Sequence, residues 1–186
     1  MQVPDLETDR LLVRPLTAAD LQRAFEIIDR DWIGSAVSDD PIAMSKRKDW
    51  LNWTVLGYQQ QSQLGNPPYG DRAIFLKSEK QLIGLCGLVP SFAPFGRIID
   101  GCGDGFHSPE VGLFYCIDSR YRQQGYASEA ARALIEFAFN EMQVRRMVAT
   151  TEQDNQASMA VMQRLGFVLH FNSEPGWPEV VGCLSR

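Results

Sequence analysis

Apolar residues near the start of the chain first crowd together and then space out. Leu11-Leu12-Val13 is a short run closed by Arg14-Pro15 and predicts a strand. Leu21, Ala24, Phe25 and Ile28 recur at helical spacing and predict a helix ending near Arg30. Thr17 and Asp20 stand three positions apart just before it, the spacing of a capping box. A second helix is expected from Ser45 to about Leu64, where Gly65-Asn66-Pro67-Pro68 breaks the pattern. It carries Trp50, Trp53 and Tyr58, expected to bury against a sheet, with a ligand-facing surface as the alternative. Residues 72–76 and 81–89 alternate as strands around the polar Lys77-Ser78-Glu79-Lys80, which suits a hairpin turn. Residues 90–109 are rich in Gly, Pro and Phe and are expected to form a mobile hairpin insertion.

Residues 110–117 (Glu-Val-Gly-Leu-Phe-Tyr-Cys-Ile) predict another strand. The helix beyond it bears Ala127, Ala130, Ala131, Leu134, Ile135 and Ala138 as one stripe of small and medium apolar side chains. Such a face can sit close against a sheet. Residues 146–151 read as a strand, 155–165 as a helix stopped by Gly166, 167–171 as a strand and 179–184 as the last strand.

A length of 186 residues suits a single domain over 1–186 with a core of its own. The 45% hydrophobic and 22% charged composition is that of an ordinary globular protein. A net charge of -5 argues against a nucleic-acid surface, which needs concentrated Lys and Arg. Lys46-Arg47-Lys48 is too short to change that and reads as a solvated helix start. Cys86, Cys102, Cys116 and Cys183 lie far apart without the close pairs of metal or redox sites, so reduced thiols and no metal are expected. The first residues lack the order of a signal peptide and no apolar run approaches a spanning helix, so no membrane partner and a cytoplasmic location are expected.

A strand that feeds a glycine loop and then a helix gathers backbone N–H groups and the positive helix end around one point, which suits phosphate. Arg122-Gln123-Gln124-Gly125-Tyr126-Ala127 fits that order, with Gly125 and Ala127 small where a phosphate must approach. Gly101-Cys102-Gly103-Asp104-Gly105 looks similar, but a strand follows it instead of a helix, which excludes that reading.

In this setting Arg122-x-x-Gly125-x-Ala127 resembles the Gln/Arg-x-x-Gly-x-Gly/Ala signature of the GNAT superfamily of acetyl-CoA-dependent N-acetyltransferases. Residues 110–117 resemble the family's central strand, and Asn155-x-x-Ser158 with Leu165-Gly166-Phe167 its later helix and strand. Residues 6–15 are similar to the start of the Rim-type branch of ribosomal-protein N-terminal acetyltransferases. The resemblance implies an α+β (mixed α/β) fold: a twisted, mostly antiparallel sheet of six or seven strands with helices on both faces. It implies that the backbone of Tyr115, Cys116 and Ile117 pairs with the pantetheine arm of acetyl-CoA. The loop from Arg122 through Gln123, Gln124, Gly125 and Tyr126 to Ala127 would hold the pyrophosphate. Asn155 would touch the cofactor, or cap its helix, or both.

Direct acetyl transfer needs a neutral amine, a stabilised oxyanion and a proton for the thiolate, but no nucleophilic side chain. Glu110 is the expected base, with a solvated strand-edge glutamate as the plain alternative and Glu174 and Glu179 as rivals. The family's usual tyrosine acid is replaced by Met162. Ser158 stands where Rim-type sequences carry a serine that assists the thiolate, or is a surface residue. His107, in the expected insertion beside the central strand, reads as an exposed loop histidine, with contact to the substrate as the alternative. The resemblance thus implies acetyl transfer to a primary amine, of a peptide or protein N-terminus or of a small molecule, by a monomer or homodimer. The other readings are a catalytically silent acyl-CoA-binding sensor or scaffold and a Rossmann-type nucleotide module. The last conflicts with the antiparallel strands ahead of residue 110.

Overall fold

The computed structural model describes residues 1–34, 40–100 and 106–186. In chain order the elements are β1 (Leu6–Glu7), β2 (Leu11–Pro15), α1 (Leu21–Phe25), α2 (Pro41–Gln63), β3 (Gly70–Leu76), β4 (Gln81–Ala93), α3 (Phe95–Asp100) and β5 (Ser108–Ile117). There follow α4 (Tyr126–Asn140), β6 (Arg146–Thr151), α5 (Gln156–Arg164), β7 (Val168–Phe171) and β8 (Val180–Ser185). The fold is mixed α+β with an eight-stranded, mostly antiparallel open sheet ordered β1-β2-β3-β4-β5-β6-β8-β7. The strand beyond the seven expected is the two-residue β1, too short to leave a pattern in the sequence. Met1–Leu88 with Phe114–Leu134 form one compact unit, and Val89–Leu113 with Ile135–Arg186 form a second.

In the first unit, β2 and β3 pair antiparallel through Val13↔Ile74, and β3 and β4 through Arg72↔Cys86. The turn between β3 and β4 puts Lys80 at a φ of 51°. Leu16, Ile27, Ile28, Leu51, Ala73, Leu82, Leu85 and Cys116 form the core, with Trp50, Phe75 and Phe114 packed on it. The capping box is present: the Asp20 carboxylate accepts from the Thr17 N–H at 2.7 Å, while Arg14 grips it with two bonds of 2.8 Å. Beyond α1 the helix widens over Glu26–Trp32, with the Ile33 N–H reaching the Ile28 carbonyl five residues back at 2.8 Å.

The second helix starts four residues earlier than its apolar pattern predicts. Asp40 accepts from the Ile42 and Ala43 N–H groups at 2.9 and 3.1 Å, and Pro41 opens the first turn. Trp50 and Tyr58 are half-buried as expected, but Trp53 is 68% exposed. At about 100° per residue, Trp53 lies roughly 200° around the helix from the buried Leu51, so only one of them can face the core. Arg47 is no solvated helix residue either. It makes two bonds of 2.7 and 3.1 Å to Asp29 and lies 4.6 Å from the Trp50 ring centroid.

Burial pushes the Asp71 carboxyl up to about 6, with Arg47 and a hydrogen bond from Trp50 pulling the other way. Because the folded value lies above the ordinary 3.8, folding takes up a proton between these two values and stability falls as pH rises through that window. Asp71→Asn is therefore expected to raise stability at pH 7.5 by roughly 1–3 kcal/mol and to leave it unchanged below pH 4. Urea melts of both proteins at the two pH values read this directly.

In the second unit, β5 runs parallel to β6 through Val111↔Met147 and Gly112↔Val148, and β6 and β8 pair antiparallel through Val148↔Cys183. Ala93, Phe95, Val148 and Val181 form its core, with Ile98, Ile99 and Trp177 against it. The segment expected to be a hairpin insertion is more regular than that. Strand β4 continues to Ala93 and residues 95–100 are helical, because Phe95, Ile98 and Ile99 supply an apolar face for Val148 and Val181. The glycine-rich residues 101–105, Cys102 among them, lie outside the described residues. Helix α5 ends at Gly166, whose φ of +92° favours glycine. Among the described residues no helix is long and apolar enough to cross a membrane, and no His, Cys, Asp or Glu cluster could hold a metal ion.

Candidate active site

The last residues of β5 lead into the loop expected to bind phosphate, and every turn of that loop is pinned. Asp118 is buried; its carboxylate accepts from the Arg120 N–H at 3.0 Å, Arg120 Nη2 at 2.7 Å and Arg23 Nη2 at 2.8 Å. Burial alone pushes its carboxyl up, but the bonds from Arg120 and Arg23 together outweigh this and hold it well below the usual carboxylate range. Asp31, presented by the widened turn after α1, accepts from the Ser119 N–H at 2.7 Å and from Arg122 at 3.0 Å. Arg122 also donates from Nε to the Ile117 carbonyl at 2.9 Å.

Two left-handed residues follow, Gln123 at φ 62° and Gly125 at φ 82°. Helix α4 starts at Tyr126, and its first bond runs from the Glu129 N–H to the Gly125 carbonyl at 3.0 Å. A loop with reversals in φ can turn successive N–H groups toward one point, and the 15-residue helix α4 adds its positive end there. A Cβ added to Gly125 would have only Arg10 Nη2 within 4 Å, at 3.5 Å, so the space beside the glycine is open. Ala127 is half-buried, and Ala130, Ala131 and Leu134 are buried as the stripe requires.

Tyr115 is half-buried, while Cys116 and Ile117 are buried. Burial pushes the Cys116 thiol up to about 12 against a backbone hydrogen bond with Leu85, so this cysteine is a packing group and no nucleophile. The Ile117 carbonyl is engaged by Arg122, which removes one acceptor from the strand edge that the resemblance assigns to pantetheine.

The other expected residues belong to the second unit. The parallel register of β5 and β6 brings Glu110 beside Arg146, whose guanidinium donates to Glu110 Oε1 and lies 3.6 Å from Asp100. Glu110 is thus a half-buried, paired carboxylate and not a solvated strand edge. Asn155 caps α5 by accepting from the Ser158 N–H at 3.0 Å, and Ser158 is half-buried. Met162, where the tyrosine acid would stand, is buried at 1% exposure. Glu179 accepts from the Gln153 N–H at 2.9 Å, and Glu174 pairs with Arg97 beside Trp177. His107 is exposed as expected, yet it stacks on Phe92 at a centroid distance of 5.1 Å and meets Trp177 in a tilted contact at 4.9 Å. Arg10, Asp31, Glu129 and Arg146 escape sequence reading, because their partners lie 36 to 121 residues away and no local spacing signals them.

The sequence pattern of the acetyltransferase (GNAT) domain family matches residues 10–168, most of the chain. The chain belongs to the GNAT acetyltransferase family. A relative, the uncharacterized N-acetyltransferase YnaD of Bacillus subtilis (strain 168), is 27% identical over 165 residues, covering 87% of this chain and 81% of its own. Among solved structures, the ribosomal-protein-S5-alanine acetyltransferase of Vibrio fischeri superposes with a TM-score of 0.70 at 17% identity, over 97% of this chain and 96% of that one. RimL, a ribosomal L7/L12 α-N-protein acetyltransferase solved in complex with coenzyme A, gives a TM-score of 0.64 at 18% identity, over 96% and 94%. The GNAT fold of this chain therefore has Rim-type enzymes among its structural neighbours. Membership makes it an acetyltransferase.

Proposed function

We propose that this GNAT protein transfers an acetyl group from acetyl-CoA directly to a primary amine, of a peptide or protein N-terminus or of a small molecule. The observation that carries the reading is the pinned, left-handed loop between β5 and α4, open beside Gly125 and facing the start of a long helix. A coenzyme A complex of the neighbour RimL supports the same donor. When bound, acetyl-CoA supplies the activated acetyl thioester. Backbone amides of Gln123, Gln124, Gly125, Tyr126 and Ala127 hold its pyrophosphate, and the strand edge at Tyr115, Cys116 and Ile117 receives the pantetheine.

Glu110 takes a proton from the incoming ammonium through Oε2, since Arg146 holds Oε1. The amine nitrogen can then form the C–N bond as the C–S bond breaks, and the second proton that the nitrogen sheds goes to the departing sulfur, which leaves as the thiol. Ser158 assists the departing thiolate, and Asn155 orients the donor while its side-chain oxygen caps α5. A coenzyme thiol near the ordinary ~8.5 needs only a weak donor at neutral pH, which suits a site with Met162 in place of tyrosine.

An amine panel monitored for released thiol tests the chemistry. Glu110→Gln is expected to lower turnover on the best amine by about 100-fold with acetyl-CoA binding unchanged. Full turnover in that variant would move the base to Glu174 or Glu179. Binding of acetyl-CoA with no thiol released on any amine would make the chain a silent acyl-CoA sensor instead.

A further inference from the structure

Glu129 sits in the first turn of α4, where a carboxylate stabilises the helix but repels any diphosphate held by the same helix end. Its charge is covered from one short stretch, the turn between β1 and β2. Thr8 Oγ1 donates to Glu129 Oε1 at 2.5 Å, and the Arg10 backbone N–H donates to the same oxygen at 3.0 Å. Arg10 Nε and Nη2 both reach the other oxygen, Oε2, at 2.6 Å. The same guanidinium donates from Nη1 to the Gln124 carbonyl at 3.0 Å and lies 4.4 Å from the centroid of the Tyr126 ring.

The bond to Gln124 has a consequence for the neighbouring amide. The Gln124 carbonyl and the Gly125 N–H belong to one planar trans peptide and point in opposite directions. Holding the oxygen on Arg10 therefore aims the Gly125 N–H away from Arg10 and fixes a peptide that a left-handed glycine would otherwise leave free to flip. We infer that Arg10 is a positioning residue for the phosphate loop: it orients the Gln124–Gly125 peptide toward the donor's pyrophosphate and neutralises Glu129 at the start of α4. The inference rests on the acetyl-CoA reading.

Calorimetric titration with acetyl-CoA and with acetyl-pantetheine, which has the thioester arm but no diphosphate, separates this role from a purely structural one. Wild type should bind acetyl-CoA much more tightly than acetyl-pantetheine. Arg10→Ala should weaken acetyl-CoA binding roughly 10- to 100-fold and leave acetyl-pantetheine unchanged. Adding Glu129→Gln to Arg10→Ala should recover part of the loss, because it removes the stranded charge. Arg10→Gln, neutral but still able to donate to Gln124, serves if the alanine variant does not fold, and should lose less than tenfold. A wild type without preference between the two probes would sink the acetyl-CoA loop reading itself. A wild-type preference that persists in the Arg10 variants would overturn this inference alone, and so would a loss shared equally by both probes.

Discussion

With the proposed donor site, acetyl-CoA should stabilise the wild-type protein, and Gly125→Glu should abolish that stabilisation. A ligand that binds only the native state at 100-fold over its dissociation constant adds about 2.7 kcal/mol. For a chain of 186 residues this corresponds to a rise in Tm of roughly 5–10 °C. Two effects remove it in the variant. A side chain at φ 82° costs on the order of 1–2 kcal/mol, which destabilises the loop conformation. The new carboxylate would also compete for Arg10, 3.5 Å from the Cβ position, and put negative charge at the proposed pyrophosphate site. Gly125→Ala separates the two: it carries the strain without the charge and should keep a reduced shift. Differential scanning of the three proteins with and without millimolar acetyl-CoA makes the comparison. An undiminished shift in the glutamate variant would mean that the pyrophosphate binds elsewhere.

Asp118→Ala is expected to be the most destabilising single change in the loop's support. Its carboxylate is buried and meets two guanidinium groups, of which that of Arg23 is largely buried and that of Arg120 largely exposed. Arg23 therefore carries most of the energy, because an exposed ion pair contributes little in water. Removing the carboxylate takes one partner from Arg23, which keeps its ion pair with Glu26 and its bonds to the Leu82 carbonyl, so the cost is about 1.5–3 kcal/mol. That should lower Tm by roughly 3–12 °C. The pH dependence has a definite sign. Asp118 titrates below the usual carboxylate range, so its stabilisation is fully present above the ordinary value of 3.8 and is lost as pH falls through its lower folded value. Acid unfolding should consequently begin at higher pH in the alanine variant than in wild type. Coinciding acid transitions would show that Asp118 adds no stability through its charge.

Much of the architecture was legible because local rules agreed with the final packing. Strand β6 at Arg146–Thr151 and helix α5, with its Asn155 cap and Gly166 stop, coincide with their expected bounds. In both, the apolar period and the end signals point the same way. The start of α2 was missed because its first residues lack an apolar stripe, and it is Asp40 and Pro41 that begin the helix. The segment after β4 was misread since Gly and Pro suggested a loop, while Phe95, Ile98 and Ile99 had an apolar surface waiting for them.

By itself the sequence determined the order of elements apart from β1 and α3, the small-residue stripe of α4 and the glycine position in the loop that follows β5. These depend on residues within a few turns of one another, where spacing translates directly into geometry. Only tertiary structure decided which charges hold that loop. Arg10 and Glu129 are 119 residues apart and Asp31 and Arg122 are 91 apart. In the second unit, likewise, Glu110 meets Arg146 only through the register of two parallel strands. Pairings at such separations are set by how strands and helices pack, and no pattern within one element encodes them.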